Sequence, residues 1–235
     1  MEWRKLLSRE TIESKGKKLS YRFMQPVKTE EGKKYPLVIF LHGAGERGSD
    51  NEAQLVHGVK DFASAEARKT NPCFLIAPQC PNGKKWVEVN WSAKAHAMPE
   101  EPSESFALLY QLLDKVQKEY PIDAKRVYVT GLSMGGYGAW DLISRWPERF
   151  AAAAPVCGGG DEKTAAKAAK IPVWAFHGSK DTAVPPDRSR NMIAALKKAG
   201  ATPKYTEYPD VGHDSWNRAY ADPAMHRWLF SQQKN

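Results

Sequence analysis

The chain has 235 residues, 42% hydrophobic and 26% charged, which suits one soluble α/β domain with a full core; no apolar run nears the ~20 residues that span a bilayer. A formal net charge of +8 suggests an anionic partner, but the lysines are scattered (Lys15, Lys17, Lys18; Lys33, Lys34; Lys84, Lys85; Lys197, Lys198) and no nucleic-acid motif accompanies them, so they read as a solvated surface. The three cysteines, Cys73, Cys80 and Cys157, form neither a disulfide framework nor a metal-ligand spacing, and no metal is expected.

In chain order, Met1–Ser8 has neither a long apolar core nor a small-residue cleavage site, so no signal peptide is read there. The expected location is the cytoplasm, or outside the cell if the sequence is an excised or mature domain. Thr11–Glu13 and Leu19–Phe23 flank the turn signal Lys15-Gly16-Lys17, and residues 1–27 read as an N-terminal hairpin packed on a sheet. Leu37–Leu41 is apolar throughout, as in a parallel strand buried on both faces, and the Gly-rich His42–Gly48 follows it. Residues 51–57 and 59–68 suggest short helices. Phe74–Pro78 is the next buried strand, and a long irregular connection over 81–102 contains Trp86 and Trp91. A connection of that length in a compact domain is usually functional or mobile.

Ser103 precedes a helical pattern (Phe106, Leu109, Leu112, Leu113, Val116) that Pro121 closes. A strand over 126–130, a helix to about Trp146, a strand over 150–156 and a short helix over 162–170 come next. A strand at Val173–Phe176, a helix over 187–199, a strand at Tyr205–Tyr208, a loop over 209–216 and a helix from Asp222-Pro223 complete the chain. Strands alternating with helices argue for a mostly parallel sheet wound on both faces. No repeat, low-complexity tract or interdomain linker breaks residues 1–235, so a single domain is expected.

Gly131-Leu132-Ser133-Met134-Gly135 has the G-x-S-x-G pattern of a nucleophile elbow, at the junction of a β-branched run and a helical one. A serine at such a corner stands clear of the sheet in a strained conformation, and the residues two before and two after it approach so closely that glycine is favoured at both. A serine hydroxyl is a weak nucleophile near neutral pH and needs a base and an orienter. On this kind of scaffold these follow the serine as acid, then histidine, each after a later strand. Asp181 and His213 fit that order, with Asp161 as the competing acid. His42 precedes the serine, and His177 sits too near its strand end to swing freely and reads as a packed, hydrogen-bonded residue. The N–H of Met134, at the helix start, and that of Ala44 (or Gly43 or Gly45) are the candidate oxyanion donors. Glu46 and Arg47 read as braces of that loop.

His42–Gly48, the elbow, His177-Gly178-Ser179-Lys180-Asp181 and Gly212–Trp216 together resemble the α/β-hydrolase superfamily. The similarity runs from about residue 20 to 230 and is greatest to the phospholipase/carboxylesterase branch, with its feruloyl-esterase-like and predicted-peptidase members. It implies an eight-stranded sheet, no cofactor, the triad Ser133, Asp181 and His213, and the oxyanion pair Ala44 and Met134; no insertion after the sixth strand is long enough for a large cap domain. Related dienelactone hydrolases use cysteine where this chain has Ser133. The implied activity is that of a serine carboxylesterase on a small-molecule ester; the scattered lysines and the lack of a spanning apolar run lead us to expect no nucleic-acid partner and no membrane insertion. Trp91 and Trp216, with Trp86 nearby, are candidates to line the cleft for short-chain or aryl esters. Serine peptidase, lysophospholipase or thioesterase, and a catalytically silent binding protein on the same fold are the competing readings.

Overall fold

The apolar runs become strands of one sheet in the computed structural model, which describes residues 2–234. The strands are β1 (Leu7–Ser14), β2 (Lys17–Met24), β3 (Tyr35–Leu41), β4 (Phe74–Pro78), β5 (Ile122–Leu132), β6 (Ala152–Val156), β7 (Trp174–Gly178) and β8 (Lys204–Tyr208). They lie in the order β1-β2-β4-β3-β5-β6-β7-β8 in an eight-stranded sheet. The β1–β2 and β2–β4 pairs are antiparallel and all other neighbours are parallel. The expected α/β-hydrolase architecture is therefore present, with the N-terminal hairpin forming one edge. Its turn uses Lys15 (φ 50°) and Gly16 (φ 74°), the doubly left-handed geometry that matches strand twist.

Every residue of β3 is buried, because side chains alternate between two covered faces. Leu37, Ile39 and Leu41 enter one core and Val38 and Phe40 the other. The first face is covered by α3 (Glu104–Glu119), α4 (Met134–Arg145) and α6 (Asp187–Lys198), through Phe106, Leu109, Trp140, Met192 and Leu196. The second is covered by α1 (Val59–Ala63), α7 (Trp216–Ala221) and α8 (Pro223–Ser231), through Phe62, Tyr220, Met225 and Leu229. Helix starts follow their capping residues. The Ser103 hydroxyl accepts from Phe106 N–H at the head of α3, and the Asp222 carboxylate accepts from Ala224 N–H before Pro223 opens α8.

The structure differs from the sequence reading mainly in short helices. The helix expected over 59–68 is broken at Ser64, whose backbone is extended (φ −61°, ψ 153°) and whose side chain instead caps α2 (Ala65–Thr70). Residues 51–57 hold only a 3₁₀ turn, Ala53–Leu55. The stretch 162–170 divides into a 3₁₀ turn, Glu162–Thr164, and α5 (Ala165–Ala168). Helix α7 has no counterpart in the sequence reading. It follows the His213 loop directly, with Ala219 N–H bonding to Ser215 O. Only these two short helical elements interrupt residues 157–173, between β6 and β7, so that crossover holds no cap domain.

Candidate active site

The parallel strands deliver five loops to one edge of the sheet, where open α/β sheets place their ligands. His42 follows β3, Ser133 follows β5, Cys157 follows β6, Asp181 follows β7 and His213 follows β8. Between β5 and α4, Ser133 adopts φ 53° and ψ −116°, a strained conformation for a residue with a side chain. The flanking glycines make this turn possible. A Cβ on Gly131 would lie 2.4 Å from Gly135 O, and one on Gly135 would lie 2.0 Å from Leu41 O. The loops carrying Asp181 and His213 are joined as tightly. Ser179 N–H bonds to Tyr208 O and Lys180 N–H to Val211 O, and a Cβ on Gly178 would lie 2.2 Å from Gly212 O.

This framework brings the three residues together. His213 Nε2 is 2.9 Å from Ser133 Oγ, and His213 Nδ1 is 2.7 Å from Asp181 Oδ2. The contact to the carboxylate assigns the ring proton to Nδ1, leaving Nε2 free to accept from the serine hydroxyl. Asp181 is shielded completely, whereas 27% of the His213 side chain is exposed. Burial pushes the Asp181 carboxyl upward, but hydrogen bonds from His177, His213 and the Val184 N–H outweigh it and hold the group well below the usual carboxylate range. The competing acid, Asp161, is committed elsewhere, accepting from Met98 N–H and Lys163 N–H. Asp210 pairs with Lys180 on the surface.

His42, set aside as a base, braces the loop after β3. Its Nε2 accepts from Cys80 N–H, so its Nδ1 carries the hydrogen that meets Gly43 O at 2.6 Å. Burial drives its pKa down to about 4, so the ring is neutral. In a planar trans peptide, holding Gly43 C=O on one side turns the Ala44 N–H to the other. Arg47 Nε donates to Ala44 O at 2.8 Å, as expected of a brace. Glu46 packs its carboxylate against Gly43. Neither Ala44 N–H nor Met134 N–H donates a backbone hydrogen bond among the described residues. Met134 is the first residue of α4, where orphan N–H groups and the helix dipole favour an anion. A strained serine, an oriented imidazole, a buried carboxylate and two free amides can together perform acyl transfer.

A profile of the dienelactone hydrolase family matches residues 92–227. The chain belongs to the dienelactone hydrolase family. A solved thermostable esterase superposes with a TM-score of 0.92 at 36% identity, over 99% of this chain and 64% of that one. The bifunctional acetylxylan esterase/xylanase XynS20E of Neocallimastix patriciarum is 42% identical over 72 residues, 30% of this chain and 11% of that protein. The carboxylesterase SOBER1 of Arabidopsis thaliana is 25% identical over 197 residues, 77% of this chain and 84% of that one. The chain thus spans well under two thirds of the acetylxylan esterase/xylanase and slightly under two thirds of the thermostable esterase.

In this dienelactone hydrolase family member the three tryptophans have different surroundings. Trp216 stands beside His213, its ring centroid 5.3 Å away in an edge-on arrangement, and lies 5.3 Å from the ring of His57. Trp91 lies on the strap between β4 and α3, its carbonyl accepting from Tyr137 OH and its ring 4.8 Å from the Lys85 ammonium. Tyr137 is one helical turn beyond Ser133, so Trp91 borders α4. Trp86 is not a cleft residue. It is fully buried, stacks on Phe106 and donates Nε1–H to His42 O. The strap itself is tethered rather than loose. Arg188 donates to Lys94 O and His96 Nδ1, and Arg145 donates to Pro99 O and Glu100 O. Among the described residues no helix is long and apolar enough to cross a membrane.

Proposed function

We propose that the protein is a serine-dependent carboxylic ester hydrolase acting on short-chain or aryl esters. The observation that supports this most strongly is the continuous hydrogen-bonded series Ser133 Oγ, His213 Nε2, His213 Nδ1 and Asp181 Oδ2. In the proposed reaction His213 takes the Ser133 proton as Oγ attacks the ester carbonyl carbon. The carbonyl electron pair moves to oxygen, where the N–H groups of Ala44 and Met134 receive it. The intermediate collapses by expelling the alkoxide, to which His213 returns the proton. Water then enters, gives its proton to His213 and cleaves the acyl-enzyme, and the proton goes back to Ser133. Asp181 fixes the imidazole tautomer and stabilises the imidazolium. No step calls for a cofactor.

The substrate class rests on Trp216, whose indole beside His213 offers a flat apolar wall for an aryl group. The acetylxylan esterase/xylanase named above is similar over part of the chain and acts, by its name, on a short acyl ester. The test is a panel of p-nitrophenyl acetate, methyl ferulate, a long-chain p-nitrophenyl ester and a peptide p-nitroanilide. Turnover of the first two well above the others supports the proposal. Faster amide cleavage points to a peptidase, preference for the long chain to a lysophospholipase or thioesterase, and no turnover to a silent binder.

Trp216→Ala adds a prediction within that panel. Loss of the indole is expected to raise KM for methyl ferulate by about 5- to 10-fold, the equivalent of ~1 kcal/mol of aromatic contact. KM for the acetyl ester should move less. Equal changes for both would show that Trp216 supports His213 without contacting the acyl or leaving group.

A further inference from the structure

We infer that His177 is a positioning residue of this site, a second imidazole that donates to the Asp181 carboxylate and holds it in register for His213. The inference rests on the reading of Ser133, Asp181 and His213 as a catalytic triad. His177 lies at the end of β7, and both its side chain and that of Asp181 are completely shielded from solvent.

An ionised carboxylate offers about four acceptor sites; Asp181 accepts three hydrogen bonds and has a fourth nitrogen, His177 Nε2, close by. Its Oδ1 accepts from the N–H groups of Ala183 and Val184, each at 2.9 Å. Its Oδ2 accepts from His213 Nδ1 at 2.7 Å and faces His177 Nε2 at 3.2 Å. His177 Nε2 has two neighbours, Asp181 Oδ2 and Val184 O at 2.9 Å. Both are acceptors, so Nε2 carries the hydrogen, which bonds to Val184 O with Asp181 Oδ2 beside it at ion-pair distance. His177 Nδ1 is 2.7 Å from Ser189 Oγ, which is 3.0 Å from Gly158 O. Gly158 in turn packs on the first turn of α4, where a Cβ would lie 2.5 Å from Gly136 C and 2.6 Å from Tyr137 N. A chain of contacts, shielded from Asp181 onward, therefore leads from Ser133 through His213, Asp181, His177, Ser189 and Gly158 back to the helix that Ser133 opens.

Supporting donors of this kind orient the groups that touch substrate. They also set how strongly the carboxylate draws the proton of His213, because charge shared with one imidazole is withheld from the other. The other charged or titratable groups around the pair are Cys157 at the end of β6, Tyr137 on α4, Arg188 on α6, Glu207 on β8 and Asp214 beside His213. None of these hydrogen-bonds to Asp181, whereas His177 Nε2 lies 3.2 Å from its Oδ2.

The test compares two polar replacements. His177→Gln can keep an N–H near the position of Nε2 and so continue to serve Asp181. His177→Asn can keep one near Nδ1, which reaches Ser189 but falls short of Asp181. For the Asn variant we expect kcat on the panel's best ester to fall by about 10-fold or more, KM to stay within about 2-fold, and the acid limb of kcat/KM to move to higher pH. The direction follows because a carboxylate freed of His177 holds the His213 proton more tightly. The Gln variant should keep the wild-type limb and most of kcat, with circular dichroism showing both variants folded. An unmoved limb in folded Asn variant, or equal losses in the two variants, would overturn the inference. Wild type and Ser133→Ala run alongside. A wild type no faster than Ser133→Ala would instead refute the triad reading itself.

Discussion

Asp181→Asn is expected to lower kcat by about four orders of magnitude while leaving KM nearly unchanged. The amide is isosteric, so packing at this shielded position survives, but its NH₂ face cannot accept the His213 Nδ1–H that now sits 2.7 Å from Oδ2. If the ring responds by taking the other tautomer, Nε2 carries the proton and no longer accepts from Ser133. The wild-type carboxyl is held well below the usual range. It is therefore ionised throughout the region above roughly pH 4, and its support of His213 does not fade until below that. Asp161→Asn is the matched control. Its carboxylate accepts from Met98 N–H of the strap and from Lys163 N–H of the neighbouring 3₁₀ turn, so steady-state rates should stay within about 3-fold. A reversal of these two results would move the orienting role to Asp161.

Gly135→Ala is expected to have the largest effect on the fold of any single methyl group added near the site. The new Cβ would lie 2.0 Å from Leu41 O, 2.5 Å from Leu41 C and 2.8 Å from His42 O. All three are backbone atoms at the end of β3, so no rotamer change relieves the clash, and either the helix start or the strand end must shift. Overpacking of that kind costs about 3 kcal/mol or more, which for a chain of this size lowers Tm by about 10 °C. Because β3 leads into Ala44 and α4 starts at Met134, the displacement also separates the two proposed oxyanion donors, and kcat should fall by roughly 100-fold or more. Gly45→Ala tests the specificity of the argument. Nothing lies within 4 Å of its Cβ position and its φ is not positive, so Tm should change by about 2 °C or less. Thermal melts of the two variants beside wild type, with rates at 25 °C, are sufficient.

Much of this site was legible in the sequence because its demands are local. The elbow needs glycines two residues either side of Ser133, and close backbone approach explains both. The order of Ser133, Asp181 and His213 follows from strand succession, and apolar runs as uniform as Leu37–Leu41 are hard to mistake for anything but buried strands. What could not be read depends on contacts distant in sequence. Trp86 sits in an irregular stretch with no periodicity to reveal that Phe106 and His42 bury it. His42 and His177 end strands before glycine in the same local pattern, yet one braces Gly43 and the other reaches the Asp181 carboxylate. The residues over 59–68 have helical composition throughout, and the break at Ser64 arises because its hydroxyl serves the second helix better as a cap than the first as an interior residue. Helix α7 was hidden because the sequence around His213 reads first as a loop.

The most direct test of the whole account is where a fluorophosphonate probe reacts. Incubating folded protein with the probe, digesting it and sequencing the modified peptide by mass spectrometry identifies the nucleophile without assuming a substrate. The expected result is a single stoichiometric adduct on Ser133, absent in Ser133→Ala and formed far more slowly in Asp181→Asn. Folded wild type that takes no label, or carries it on another residue, would contradict it.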